Sequence, residues 1–429
     1  MNNPAEKAWY KLDHAAKIFP PTSSKSDTKV FRFSCELREA VDGEMLQAAL
    51  DRTIEDFPSF RYVLKHGMFW YYLEQSNIRP VVRVEDTPPC STIYLNSKAL
   101  LFEVTWYGNR INLEVYHALT DGTGALQFLK MLVLYYLKLI HSEIKGNISG
   151  VDFDYDASEN QKMTDSFNEY YDRSKNTGDS RSPAAYQLKG AKETEWRLNI
   201  IEGSVSTKAL LDKSREYGAT ATVFITALLI RAIYGEMGMN DRKKPVVINI
   251  PVNLRNYFES KTARNFFSLI EIKYDFSNNK DSLEDIINYT KKCFDERLNE
   301  EYLQARLNKL LSFEHNFLIR LVPLAIKDLY MSIAYSLARN EFTATVSNVG
   351  RVVMPEEAKP YIRLFDVFNS TKKLQICICS YEDNMNISFT SPFVNTDIQR
   401  SFFRQLSKLG IAVEISANNL KVNQGVKNR

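Results

Sequence analysis

His117, Asp121 and Gly122, inside the stretch Ile111–Lys130 (INLEVYHALTDGTGALQFLK), are the residues of this chain whose types and spacing could do chemistry. A neutral imidazole, with an ordinary pKa of roughly 6.5, can take a proton near neutral pH. A carboxylate four residues on can lock the turn or orient the ring. A glycine beside it permits backbone conformations that other residues resist. The pattern predicts a buried general base projecting from a strand end.

The surrounding residues supply the elements to position it. Ile111, Leu113 and Val115 alternate with Asn112, Glu114 and Tyr116, as a strand requires. Gly122 and Gly124 punctuate the corner, and an apolar helix follows over 125–140. Upstream, the periodicity predicts a strand over 29–37 and a helix over 44–57, opened by Asp42 or Gly43 and stopped by Pro58. Hairpins are expected at His66-Gly67 and at Tyr107-Gly108-Asn109, with a short strand over 80–85. Residues 145–190 are polar and rich in Asp, Ser and Asn, and read as a connector and domain boundary. The same kind of pattern then restarts. Strands are expected over 195–201, 245–254, 266–274, 342–347, near 365, 373–381 and 384–390. Helices are expected after a Ser206 cap as far as Gly218, over 222–237, after an Asp281/Glu284 capping box, and over 397–409. The fold class is therefore α/β (α+β), with two similar lobes, each a mixed β-sheet with helices. Residues 1–190 form the N-terminal lobe and residues 191–429 the C-terminal lobe.

Composition narrows the function classes. Of 429 residues, 44% are hydrophobic and 25% charged, ordinary for a globular enzyme with a large core. With 25 Phe and 23 Tyr, a generous apolar pocket is available. A net charge of +3 gives no footing for a nucleic-acid partner. The apolar runs 223–234 and 316–338 are interrupted by Arg231 and by Arg320, Pro323, Lys327 and Asp328, so no transmembrane segment is expected. Cys35, Cys90, Cys293, Cys377 and Cys379 lack metal-ligand spacing and read as reduced core thiols of a cytoplasmic protein. His14, His66, His141 and His315 are isolated, and no metal site is expected. Asp152, Asp154 and Asp156 mimic a calcium loop but are followed by Ala157 and Met163 where Gly and Glu are wanted. Asp281-Ser282-Leu283 echoes a phosphopantetheine attachment site but is better explained as a helix cap.

The segment His117-Ala118-Leu119-Thr120-Asp121-Gly122 resembles the HHxxxDG motif of the chloramphenicol-acetyltransferase-like superfamily, which includes condensation domains, plant BAHD acyltransferases and alcohol acetyltransferases. Further segments agree, in the expected order. Ile250-Pro251-Val252-Asn253-Leu254-Arg255 with Asn265-Phe266-Phe267 resembles its P-V-x-L-R … N-F segment, and Ser347-Asn348-Val349-Gly350 its S-N-x-G segment. Leu12-Asp13-His14-Ala15-Ala16 and Phe69-Trp70-Tyr71-Tyr72-Leu73-Glu74 are similar to the bacterial alcohol-acetyltransferase-like branch. Tyr116 stands where the motif has its first histidine, which weakens an assignment to peptide-forming condensation domains.

The resemblance implies an active-site tunnel between the lobes, entered from both faces. It implies acyl transfer from a thioester to an alcohol or amine, with acyl-CoA as co-substrate, no permanently bound cofactor, a small-molecule acceptor, and a monomer or weak oligomer. His117 would be the general base. Asp121 and Gly122 would be structural, with Arg255, at the end of a buried strand, the partner of Asp121. Ser347, Asn348 and Thr345 would stand near the oxyanion, and Tyr116 beside the tunnel. Two rival readings are a free-standing condensation enzyme using a carrier-protein donor, and a catalytically silent binding protein that keeps the tunnel.

Overall fold

The computed structural model describes residues 8–93, 98–144, 164–172, 184–312 and 321–418. The calcium-loop-like run 152–156, most of the 145–190 connector and His315 lie outside the described residues.

The sheet that carries His117 has five strands, in the order Ile362–Asn369, Val30–Leu37, Arg110–Tyr116, Phe102–Tyr107, Arg83–Val84. Every residue of Val30–Leu37 is buried, including its polar ones. Cross-strand pairing makes that affordable, because Arg32, Ser34 and Glu36 stand opposite Glu114, Asn112 and Arg110. Each pair is hydrogen-bonded at 2.8 Å, so the buried polar groups keep partners. The apolar residues of the same strands join a core with Phe60, Phe102 and Phe128.

One edge of this sheet comes from the second half of the chain. Ile362–Asn369 pairs antiparallel with Val30–Leu37, and Phe365, Val367 and Phe368 are buried in the first core. Arg110 reaches Asp366 at 3.1 Å and Glu202 at 3.5 Å. The contiguous division at residue 190 is therefore corrected: an edge strand with its own apolar face and a buried carboxylate crosses back to complete the first lobe.

The second sheet is mixed and seven-stranded, ordered Phe267–Tyr274, Val246–Asn253, Ala344–Val352, Leu374–Tyr381, Asn384–Ser391, Asn199–Ser206, Glu414–Ala417. Its two parallel contacts lie on either side of Ala344–Val352. Ile248, Ile250, Ala344, Val346, Ile376 and Ile378 point into a second core built on the apolar helix Ala221–Glu236. Cys377 and Cys379, on the opposite face of Leu374–Tyr381, belong to the first core. The sheet thus has one face on its own helices and the other towards the first lobe. A small third sheet joins Trp9–Lys11, Tyr71–Gln75 and Tyr62–His66.

Local details depart from expectation in three places. The helix Leu283–Arg297 is capped by the Ser282 hydroxyl, which accepts from the Asp285 amide at 3.2 Å, and not by Asp281. The strand expected at 195 begins at Asn199, because Glu195 and Trp196 adopt positive φ angles of 55° and 60°. The edge strand Glu414–Ala417 has every residue exposed and so carries no burial pattern to read. By length and composition the helix Gly122–Ile140 could cross a membrane, but 61% of its apolar window is buried within the protein, as befits a core helix.

Candidate active site

His117 follows directly on the strand Arg110–Tyr116, and its amide donates to the Lys29 carbonyl at 2.9 Å. Lys29 adopts a left-handed φ of 58°, uncommon for a residue with a side chain. Its ammonium is held by Asp27 and Tyr335, both at 2.6 Å. The backbone that seats His117 is therefore pinned on its far side as well.

Aromatic rings enclose the imidazole. Phe19 stacks on it with centroids 4.8 Å apart, Phe31 lies tilted at 4.6 Å, and Phe267, from the second sheet, stands at 6.1 Å. The residue is half-buried. The crowding strips water from the ring and pushes its pKa down to about 4, against weaker upward pulls from Asp121 and from the Asn265 hydrogen bond. His117 is therefore neutral at pH 7.

Its tautomer is fixed by Asn265. The Asn265 amide nitrogen donates to the His117 carbonyl at 3.0 Å and to Asp13 Oδ2 at 3.2 Å. The Asn265 oxygen must then be the atom that faces His117 Nδ1, at 3.3 Å. An amide oxygen only accepts, so Nδ1 carries the proton and Nε2 keeps its lone pair. Asp13 is itself fully buried and accepts from the Ala16 amide at 2.7 Å, and Arg264 lies 3.5 Å from it. Asn265 sits in the N-F segment, yet its role is invisible until that segment is seen against residues 13–16.

Asp121 caps the helix Gly122–Ile140. Its Oδ1 accepts from the amides of Thr123 at 3.1 Å and Gly124 at 3.3 Å. Its Oδ2 accepts from Arg255 at 2.7 Å and from the Phe266 amide at 3.1 Å. Both oxygens are committed: Oδ1 to the cap of its own helix and Oδ2 to bonds that join the two lobes. The Arg255 guanidinium is filled by the same joint, donating also to Asn253 Oδ1 and to the carbonyls of Thr262 and Arg264.

Two expectations about this corner are corrected. Gly122 has no positive φ, and a Cβ added there would meet only the Phe33 ring, at 3.7 Å. The glycine that sterics demand is Gly124, where a Cβ would lie 2.8 Å from the Ala263 carbonyl and closer still to the Thr120 hydroxyl. Tyr116 does not face a tunnel. Its side chain is fully buried in the first core, and its hydroxyl lies 2.9 Å from the Ser23 hydroxyl. Strand alternation turns it away from the neighbouring His117.

The second sheet turns one face to the first lobe. Ala344 and Val346 point into the second core, so Thr345 and Ser347 stand on the face turned to the first lobe, where Val349 packs on the first core. Asn249, Pro251 and Asn253 are half-buried on the same face, and Asn253 comes within 3.4 Å of the Thr123 hydroxyl. Among the described residues no hydrogen bond links Thr345 or Ser347 to another side chain or to His117. Asn348 is exposed and turned to its own lobe, its amide donating to Thr222 at 2.8 Å and its oxygen accepting from the Gly350 amide. The structure therefore brings together His117, Asn265, Asp121 and Arg255, stands Thr345 and Ser347 on the sheet face turned to the first lobe, and leaves Asn348 exposed and Tyr116 buried in the core. Among the described residues no three metal-ligating side chains converge.

No family model matches the chain, and no curated protein matches it in sequence. Solved structures share its fold. A trichothecene 15-O-acetyltransferase from Fusarium sporotrichioides superposes with a TM-score of 0.63 at 12% identity, covering 95% of this chain and 96% of that one. The first condensation domain of the CDA synthetase gives 0.63 at 13% identity, covering 95% and 97%. Polyketide synthase associated protein 5 from Mycobacterium tuberculosis gives 0.59 at 14% identity, covering 93% and 97%. Superposition over nearly the full length of each chain makes the likeness one of whole architecture, both lobes included.

Proposed function

From the premise of this shared two-lobed chloramphenicol-acetyltransferase-like fold, we propose that the protein is an acyltransferase. It moves an acetyl or longer acyl group from acyl-CoA to an alcohol or amine, with His117 as general base. The observation that carries this reading is the unprotonated Nε2 of His117, left as an acceptor by the Asn265 bond on a half-buried ring among Phe19, Phe31 and Phe267.

As the acceptor oxygen or nitrogen attacks the thioester carbon, its proton passes to Nε2. The carbonyl electrons move onto oxygen, and the Thr345 and Ser347 hydroxyls are the proposed donors to that oxyanion. Collapse of the tetrahedral intermediate breaks the carbon–sulfur bond, and the imidazolium returns the proton to the thiolate. A histidine held near pKa 4 is a weak base on its own. The oxyanion forming beside it offsets the cost of charging it, and binding both substrates in one cleft contributes as well. Asp121 takes no proton in this scheme, because both its oxygens are bonded elsewhere.

The test is a mass-spectrometric screen of acyl-CoA donors against alcohols and amines, with acylated carrier protein as a parallel donor, using wild type and His117→Ala. Transfer from acyl-CoA that vanishes in His117→Ala supports the reading. Transfer that survives the substitution overturns the mechanism, and transfer only from carrier protein overturns the donor.

A further inference from the structure

A second site lies at the seam of the lobes, away from the imidazole. A cavity of about 230 Å³ is lined by Ser26 of the first lobe and by Lys192, Trp196, Arg197, Arg339 and Lys372. Glu193 is the acid on its wall. The whole chain carries a net charge of only +3, yet four cations converge here.

Those cations are short of counter-ions. Arg197 pairs with Glu195 at 2.8 Å. Among the described residues no carboxylate forms an ion pair with Lys192, Arg339 or Lys372. Lys372 is held below the ordinary lysine range, first by burial and then, despite Asp27, by the charges of Lys29, Arg339 and Lys192. Mutually repelling cations around a cavity are stabilised when an anion enters.

Trp196 stands at the rim, 56% exposed, a large apolar area to leave in water. It is held there by two successive non-glycine residues in left-handed conformation, Glu195 and Trp196. Strained backbone of this kind persists where the surroundings enforce it and gathers at ligand clamps. An indole face beside a cationic cavity combines the two elements of nucleotide binding, a stacking platform for a base and charges for phosphate. The cavity is smaller than the roughly 300–1,000 Å³ of pockets that swallow a whole ligand. It suits a phosphorylated sugar, with the base outside against Trp196.

We propose that this seam pocket binds a phosphorylated nucleoside, its phosphate held by Lys192, Arg339 and Lys372 and its base stacked on Trp196. The ligand is either a free nucleotide or the nucleotide end of a larger thioester donor. The pocket stands on its own geometry, and only the second source rests on the acyl-CoA reading. Its link to the catalytic corner is the segment Ser26–Lys29, which lines the pocket at one end and receives the His117 amide at the other.

The test is calorimetric titration of the full chain with adenosine 3′,5′-bisphosphate, CoA, adenosine and inorganic phosphate. The bisphosphate should bind, and more tightly than adenosine or phosphate. The double substitution Arg339→Ala with Lys372→Ala should weaken it at least about tenfold. Trp196→Ala should weaken it about tenfold while leaving inorganic phosphate unchanged. Arg339→Lys with Lys372→Arg should restore most of the affinity, which excludes misfolding as the cause. No saturable bisphosphate binding, or equal affinity in the alanine variants, overturns the proposal. Competition between CoA and the bisphosphate identifies the thioester source, and bisphosphate binding without CoA binding identifies the free nucleotide. Acyl transfer whose KM for acyl-CoA ignores these variants leaves the proposed reaction standing and sinks the thioester source. Bisphosphate binding that needs these residues, in a protein with no transferase activity, sinks the reaction and keeps the pocket.

Discussion

Asn265 grips His117 at two atoms, donating to its backbone carbonyl at 3.0 Å and facing its ring Nδ1 at 3.3 Å. The first bond fixes the amide's orientation, so the second fixes the proton on the ring. A base whose reactive nitrogen is chosen by a neighbour depends on that neighbour for rate rather than for binding. Asn265→Ala is therefore expected to lower kcat about tenfold or more, with KM for the acyl donor changing little. Steady-state kinetics on both substrates would decide, and an unchanged kcat would sink the assigned role.

The depressed pKa of His117 sets a second expectation. In the free enzyme the acid limb of kcat/KM should lie near pH 4, the value to which burial pushes the ring, and not near 6.5. The same shift links to stability. Between about pH 4 and pH 6.5 the unfolded chain binds a proton at this histidine that the folded chain does not. Folding stability from this group is thus full above pH 6.5 and falls as pH drops through that window. Urea unfolding at pH 4.5 and pH 7 should show a smaller loss in His117→Gln than in wild type.

Asp121 and Arg255 should behave as architecture. Their side chains are only 8% and 13% exposed, and they meet at 2.7 Å across the lobes. Removing one member leaves the other charge buried and unpaired, at a cost of about 3–5 kcal/mol. Asp121→Ala and Arg255→Ala should each lose stability of this order, and the double variant should lose much less than their sum. Denaturant melts of the four proteins measure the coupling. If Asp121 relayed a proton instead, Asp121→Asn would lose turnover while Arg255→Ala kept it.

The two glycines of the corner separate by the same kind of contact argument. Gly124→Ala forces a methyl group against the Ala263 carbonyl and the Thr120 hydroxyl, which are themselves bonded at 2.5 Å. Overpacking of this kind costs about 1–3 kcal/mol. Gly122→Ala meets ordinary contact with Phe33 and should be close to neutral. Thermal melts of the two variants should differ by about 1–3 °C.

What could be read along the chain was whatever repeats locally. The alternation of Ile111–Tyr116 and the caps at Asp42 and Ser206 each lie within a few residues and fall where expected. What could not be read needed two distant segments at once. Asn265 acquires its role only from His117 and Asp13, which precede it by 148 and 252 residues. The return of Ile362–Asn369 to the first sheet is likewise decided by pairing across the whole chain. A glycine next to a carboxylate reads as a turn residue, whereas the space around each Cβ is set by distant residues, Phe33 at Gly122 and Ala263 at Gly124. Trp196 was hidden inside an expected strand, because nothing local marks two successive left-handed residues that are not glycine.

Tyr116 offers the last test, because it occupies the position where the related motif carries a histidine. Its hydroxyl lies 2.9 Å from Ser23, whose hydroxyl donates to the Phe19 carbonyl at 2.8 Å. Phe19 in turn stacks on the His117 ring at 4.8 Å. Tyr116 is thereby joined to the base through the segment that carries its aromatic lid, and it has no surface to offer a substrate. Tyr116→Phe removes one buried hydrogen bond, worth about 1 kcal/mol of stability. It leaves the stacking ring in place, so kcat should stay within about threefold of wild type. Tyr116→Ala empties a core site, should cost about 3–5 kcal/mol, and should lower kcat by loosening Phe19. Should Tyr116→Phe instead abolish turnover at unchanged stability, the hydroxyl acts on the reacting atoms and this placement of Tyr116 in the core is wrong.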